Sequence, residues 1–170
     1  MSKVQAICEQ WQDVRNGLIK EVELIPGDQM GFKSAPESRS VIEVLHHIVE
    51  TQRVLAGEMC RDNTNFQRGF QALAADFADN AKEATTKESV LELLRSSLEK
   101  TRSMVESFGD TNFEQGMTRF DGKQCTKIEM LNFTVAHEMY HRGQLTVYER
   151  LLGIEPALTQ FFRKMMSASS

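Results

Sequence analysis

Proline is scarce in this chain of 170 residues: Pro26, Pro36 and Pro156 are the only three, and all lie between or after periodic segments. Because a proline inside a helix removes a hydrogen bond and clashes with the preceding turn, long uninterrupted helices are permitted everywhere else. Cysteine is equally scarce. Cys8, Cys60 and Cys125 are odd in number, widely spaced and without a CxxC pair, which argues against a disulfide framework and for free thiols in a reducing compartment. No run approaches the roughly 18 apolar residues needed to span a bilayer, and the opening MSKVQAICEQWQD carries charge where a signal peptide needs an apolar block. The expectation is a soluble, cytoplasmic protein with no membrane partner. Twenty basic residues against twenty-four acidic ones leave a net charge of −4 without a concentrated Lys/Arg run, which disfavours nucleic acid as a partner. No phosphate-binding glycine loop, GxSxG elbow or calcium loop occurs.

What is present is composition and periodicity. Hydrophobic residues at 41% and charged residues at 26% are globular values, and the length suits one domain over residues 1–170 with a polar tail from about 167 that frays. In the first block Val4, Ile7, Trp11, Val14, Leu18 and Val22 recur at steps of three and four, the stripe of a helix that buries one face. Three later blocks open with a hydroxyl followed three residues on by a carboxylate: Ser40 and Glu43, Thr85 and Glu88, Thr126 and Glu129. Each pair can form a capping box, and so predicts a helix start. The helices so marked run to about Cys60, to Gly109 and to a glycine cap at Gly153. The fold class is therefore all-α, a four-helix bundle. Residues 61–85 and 109–125 are longer than the ~2–8 residues that join antiparallel neighbours, so at least one crossover connection is expected. Phe70 to Phe77 predicts a short helix in the first, and Phe120-Asp121-Gly122 a turn, with room for a small hairpin, in the second.

Two of the four histidines, His137 and His141, are four apart in the last helix, which brings both imidazoles to one face. That face also carries Met130, Phe133, Leu145, Tyr148 and Leu152, so the histidines point inward. His46 and His47 are adjacent on the second helix, and at most one of them can share the core seam. His47 is flanked by Val44, Ile48, Thr51, Val54 and Leu55, whereas His46 falls nearer Glu43, Glu50 and Arg53. Three inward imidazoles from two packed helices suit a divalent cation, Zn or Ni, with one position open. The bland reading is that they are neutral core histidines bonded to carboxylates or carbonyls.

His137-Glu138-Met139-Tyr140-His141 also matches HExxH, in which two histidines bind zinc and the glutamate activates water. The extended peptidase form would need glycine at 144 and histidine at 147, where this chain has Gln144 and Val147. Nothing suggests a strand to hold an extended peptide.

The continuation His137-x-x-x-His141-Arg142-Gly143-Gln144-Leu145, with Leu45-His46-His47-Ile48 early in the second helix, resembles the DinB-like superfamily. The resemblance runs from the first helix to Leu151-Leu152-Gly153. It implies an up-down-down-up four-helix bundle, frequent homodimers, and a metal held by His47, His137 and His141, with His46 the alternative to His47. The superfamily includes bacterial low-molecular-weight-thiol S-transferases and maleylpyruvate isomerases. What it implies for activity is a metal-dependent enzyme activating water or a small thiol toward a small-molecule substrate. The alternative is a non-catalytic metal- or ligand-binding protein of a stress response; a third reading is a dimerising bundle without metal.

Other residues have paired readings. Glu138 is a candidate base, although helix geometry turns it about 100° from His137. Arg142 can meet an anionic substrate group or, the favoured reading, a core or interface carboxylate. Gln144 can support a ligand or serve as a core polar group. Gly143 costs a helix about 1 kcal/mol relative to alanine, which suggests close helix approach or room near a metal. Cys125, just before a helix start, is a candidate for a lowered thiol pKa, with a spectator thiol as the simpler reading.

Overall fold

The computed structural model describes residues 1–77 and 80–168. Four long helices carry the architecture: α1 (Lys3–Leu24), α2 (Val41–Met59), α4 (Lys87–Phe108) and α6 (Lys127–Leu151). Between them lie the short helices α3 (Phe70–Phe77) and α5 (Asp110–Phe113) and an antiparallel hairpin of β1 (Gly116–Thr118) and β2 (Gln124–Thr126); α7 (Ala157–Ala168) follows.

The helix starts are chemical. The Ser40 and Thr126 hydroxyls accept the amides of Glu43 and Glu129, whose carboxylates return to the cap amides at 2.7 Å. These bonds hold both carboxyls below their ordinary pKa. The third start departs from the sequence reading by one residue: Thr86, not Thr85, is the cap, and its partner is the Ser89 hydroxyl rather than Glu88. A serine can replace the acid because a hydroxyl both donates and accepts at that position. Helix α1 opens on a Ser2–Gln5 box that the pattern did not flag.

Side-chain pairs fix the helix directions. Gln12 meets Arg102 and Glu23 meets Arg95, so α1 and α4 are antiparallel. Trp11 meets Glu138 and Glu21 meets Arg142, so α1 and α6 are parallel. Tyr148 reaches Arg39, ahead of α2, while Lys127 reaches Arg61, just past its end, so α2 and α6 are antiparallel. The order is therefore up, down, down, up, and the two chain segments 60–86 and 109–126 are its long connections.

The core has two apolar parts. Trp11, Val54, Phe66, Leu98 and Val135 belong to one, and Leu18, Leu45, Leu94, Leu145 and Tyr148 to the other. Between them lies a fully buried polar layer that the hydrophobic stripes did not disclose. The Arg15 guanidinium donates to both Glu138 oxygens, to Gln52 Oε1 and to the Leu94 carbonyl, while Gln52 donates to Thr101 at 2.7 Å. Trp11 Nε1 donates to the same carboxylate at 2.7 Å.

The frayed end expected from about residue 167 is corrected in part. Pro156 does not merely stop α6: it precedes α7, which continues through Ser167 to Ala168, and residues 169–170 lie outside the described ones. No described helix is long and apolar enough to cross a membrane.

Candidate metal centre

Helices α2 and α6 bring His47, His137 and His141 together above the polar layer. His137 Nε2 lies 3.2 Å from His47 Nε2 and 3.1 Å from His141 Nε2. The rings are mutually tilted by 67° to 87°, so they converge on nitrogen atoms instead of stacking. A tetrahedral ion with bonds of ~2.0–2.1 Å separates its ligand atoms by about 3.3 Å. The two short edges of this triangle match that spacing, and all three ligand atoms fall within 4.8 Å. Neutral imidazole carries one ring N–H, so with that proton on Nδ1 each ring offers its Nε2 lone pair to the point where the three converge. The donor set fits a divalent ion.

The protonation states agree. Burial first, then the positive charge of Arg39, pushes His47 down to about 4; burial and the neighbouring His141 do the same for His137. His141 is also lowered by burial. All three rings are unprotonated at neutral pH, the form a metal requires.

The far nitrogens are held from behind. His141 Nδ1 lies 2.8 Å from Gln144 Oε1, an acceptor, which assigns the proton to Nδ1 and leaves Nε2 free. Gln144 Nε2 donates to the Tyr148 hydroxyl at 3.1 Å, and that hydroxyl donates to the Arg39 carbonyl at 2.8 Å. Gln144 thus stands behind a histidine, while Thr51 lies 3.4 Å from His47 Nδ1.

Other candidates are placed elsewhere. His46 does not face the solvent side where its neighbours seemed to put it: it is buried, with Nε2 2.8 Å from the Ala84 carbonyl, and points away from the cluster. Glu138 is no base for this site. It is 1% exposed and all its bonds go into the polar layer, since the ~100° step from His137 aims it at α1. Arg142 donates to buried Glu21 at 3.0 Å and so has the carboxylate role rather than the substrate role. Gly143 neither admits a helix nor borders the cluster; it faces solvent, with open space where a Cβ would stand. The close approaches are at Gly17, whose Cβ would collide with the Arg142 guanidinium, and at Gly57, against Phe77. Burial raises the Cys125 thiol instead of the helix end lowering it, and Cys8 and Cys60 are pushed up to about 11 and about 12.

Sequence reasoning missed Arg39, one residue before the α2 cap, and missed what the long connections do. Gln67, in the first, donates to the Arg119 carbonyl in the hairpin turn, and Phe120 from that turn packs on Phe133 of α6 with centroids 5.9 Å apart. Under them lies an apolar cavity of about 430 Å³ that His47 and His137 border.

An up-down-down-up chain with three convergent imidazoles defines a class of four-helix bundles whose core presents a donor set that could hold a cation. Within that class, the chain belongs to the DinB family, whose model matches residues 1–169. It is 25% identical over 155 residues to the uncharacterized protein YjoA of Bacillus subtilis, covering 90% of this chain and 93% of YjoA. The crystal structure of that DinB-like protein superposes with a TM-score of 0.65 over 87% of this chain and 92% of the other, at 22% identity. YfiT from Bacillus subtilis, described as a probable metal-dependent hydrolase with an unusual four-helix bundle topology, gives 0.69 at 19% identity over 91% of each chain. The mycothiol-dependent maleylpyruvate isomerase gives 0.66 at 12% identity, covering 84% of this chain and 60% of that longer one.

Proposed function

We propose that this chain is a metal-dependent enzyme in which His47, His137 and His141 hold one divalent ion, zinc or nickel, beside an open position for a small-molecule substrate. The observation that carries the reading is the convergence of the Nε2 atoms of three neutral imidazoles from two helices at metal-ligand spacing. No fourth His, Cys, Asp or Glu joins the group among the described residues, which favours turnover over sequestration in a closed site.

A divalent ion bound there supplies Lewis acidity, which lowers the pKa of water or of a small thiol at its open position toward neutrality. The chain's own residues do the rest. Gln144 fixes the His141 tautomer through Nδ1, Tyr148 fixes Gln144, and the apolar walls under Phe120 and Phe133 limit water at the site. Hydrolysis and activation of a thiol are the two candidate chemistries: YfiT is described as a probable metal-dependent hydrolase and the isomerase as mycothiol-dependent, and transfer of the thiol to an electrophile is this reading's own step. A homodimer accompanies this reading, formed through α7, where Leu158, Phe161 and Phe162 are each about half exposed. Sedimentation of the wild type as a dimer and of Phe161→Asp as a monomer checks that part.

The test of the site is elemental analysis of protein purified without an affinity tag, beside His47→Ala, His137→Ala and His141→Ala. About one metal per chain, lost in each variant while the helical circular-dichroism signal persists, supports the reading. No metal after reloading with zinc or nickel refutes it. With metal established, consumption of thiol by an electrophile panel and hydrolysis of activated amides separate the two chemistries.

A further inference from the structure

Two cavities meet at His47 and Phe70, and they differ in character. On one side is the apolar cavity, with a floor of buried Phe66 and Leu73 and a rim of exposed Phe70 and Phe120. On the other is a larger cleft of about 740 Å³ whose lining includes the charged residues Arg39, Glu43, Glu50 and Lys82 beside His46. The charges in the cleft are mostly engaged. Glu43 is committed to the α2 cap and to Lys33 at 3.5 Å, and Lys82 to Glu50 at 3.7 Å. Arg39 is the exception: among the described residues its guanidinium has no hydrogen bond or ion pair. Its backbone is nevertheless fixed to the site, because its carbonyl accepts the Tyr148 hydroxyl that supports Gln144 and His141. An exposed guanidinium at the edge of the cleft that His47 borders, with five donors and no partner among the described residues, is available to an anion.

We infer that the substrate is a small amphiphilic anion: an apolar, preferably aromatic, body sits between Phe70, Phe120 and Phe133, and a carboxylate or similar group meets Arg39 across the histidine cluster. This rests on the metal reading of the same site. The two halves come from different parts of the chain. The aromatic wall is supplied mainly by the two long connections, which Gln67 ties together through the Arg119 carbonyl, while the cation precedes the α2 cap. Specificity for the body is therefore separable from specificity for the charge.

The test uses the zinc-loaded full chain with two probes of the same body, 4-phenylbutyrate and 4-phenylbutan-1-ol, titrated by ligand-observed NMR, with zinc content measured on every sample. The acid is expected to bind about tenfold more tightly than the alcohol, the ratio that one charge-assisted contact supports. Arg39→Gln is expected to erase that ratio and leave the alcohol unchanged, whereas Phe120→Ala weakens both probes several-fold. Equal affinities, or a preference that survives Arg39→Gln, overturn the inference, since the carboxylate then responds only to the ion. Probes indifferent to Phe120→Ala overturn it as well. A chain that takes up no zinc fails at the metal measurement, before any probe is added, and refutes the metal reading; zinc at one per chain without the expected ratios refutes only the inference.

Discussion

Glu138 lies in an HExxH pattern, and the structure makes it a counter-charge rather than a base. Its side chain and that of Arg15 are 2% and 0% exposed, and it accepts from Arg15 Nε, from Arg15 Nη2 at 2.8 Å and from Trp11 Nε1 at 2.7 Å. Glu138→Gln keeps the shape but strips the buried guanidinium of its opposite charge and turns one acceptor into a donor facing donors. Removing one partner of a buried pair costs about 3–5 kcal/mol. For a chain of this size, each kcal/mol moves the midpoint by about 2–4 °C, so the melting temperature should fall by roughly 6–20 °C. Calorimetry and urea unfolding measure this, and metal content measured on the same samples at low temperature should remain at the wild-type value. A second prediction is built into the same pair. Arg15→Met combined with Glu138→Leu removes the orphaned charge and should recover part of the loss, the remainder being the cost of leaving Trp11 Nε1 and Gln52 Oε1 buried without partners. A Glu138→Gln protein that melts within about 2 °C of wild type, or a double variant no better than the single, would refute the structural assignment.

Three further perturbations have definite signs. Gly143→Ala should stabilise the chain by about 1 kcal/mol, since the new methyl meets open space in a helix; a lower melting temperature would contradict its assignment to solvent. Gly17→Ala should do the opposite, because the added Cβ occupies the Arg142 guanidinium's position and pushes it off buried Glu21, and an unchanged unfolding midpoint would count against the contact. Glu149 is fully buried, its oxygens have no hydrogen-bond partner among the described residues, and burial followed by the adjacent Glu21 pushes it up to about 8. The folded chain keeps a proton that the unfolded chain has lost, so this group's contribution falls as pH rises from about 4.5 to about 8. Glu149→Gln should abolish that slope and exceed the wild type near pH 8 by on the order of a few kcal/mol, with no difference near pH 4; parallel stability profiles would disprove it.

The legible and illegible parts of the chain differ in a physical way. Helix boundaries were readable because caps and periodicity are local: Ser40, Thr126 and Gly153 act on amides and carbonyls within a few residues of themselves. The Thr86 cap was displaced by one residue because two adjacent threonines offer the same hydroxyl, and only Ser89 decides between them. The tail expected from about residue 167 is in part the end of α7, whose stripe, Leu158, Phe161, Phe162 and Met165, stays exposed and so gives periodicity no buried face to mark. The buried polar layer was hidden for the converse reason. Arg15, Gln52 and Glu138 come from three helices, and each alone is an ordinary charged or polar residue at a helical position. Only their juxtaposition shows that they satisfy one another.

The same contrast explains the histidines. Their four-residue spacing placed His137 and His141 on one face, and the apolar flank of Val44, Ile48, Thr51, Val54 and Leu55 favoured His47 over His46, but what occupies His46 lies on the other side of α2. There the answer is the Ala84 carbonyl, contributed by the long connection and invisible to periodicity. That connection fastens His46 on one flank of α2, and with Phe66, Phe70 and Leu73 it builds the apolar wall on the flank that His47 faces. A segment that looks like a mere crossover thus orients the helix carrying one imidazole and shapes the space beside it. Variation in residues 61–85 should therefore change which molecules reach the histidines without changing the histidines themselves, which is how one bundle can host different chemistries on a fixed set of ligating side chains.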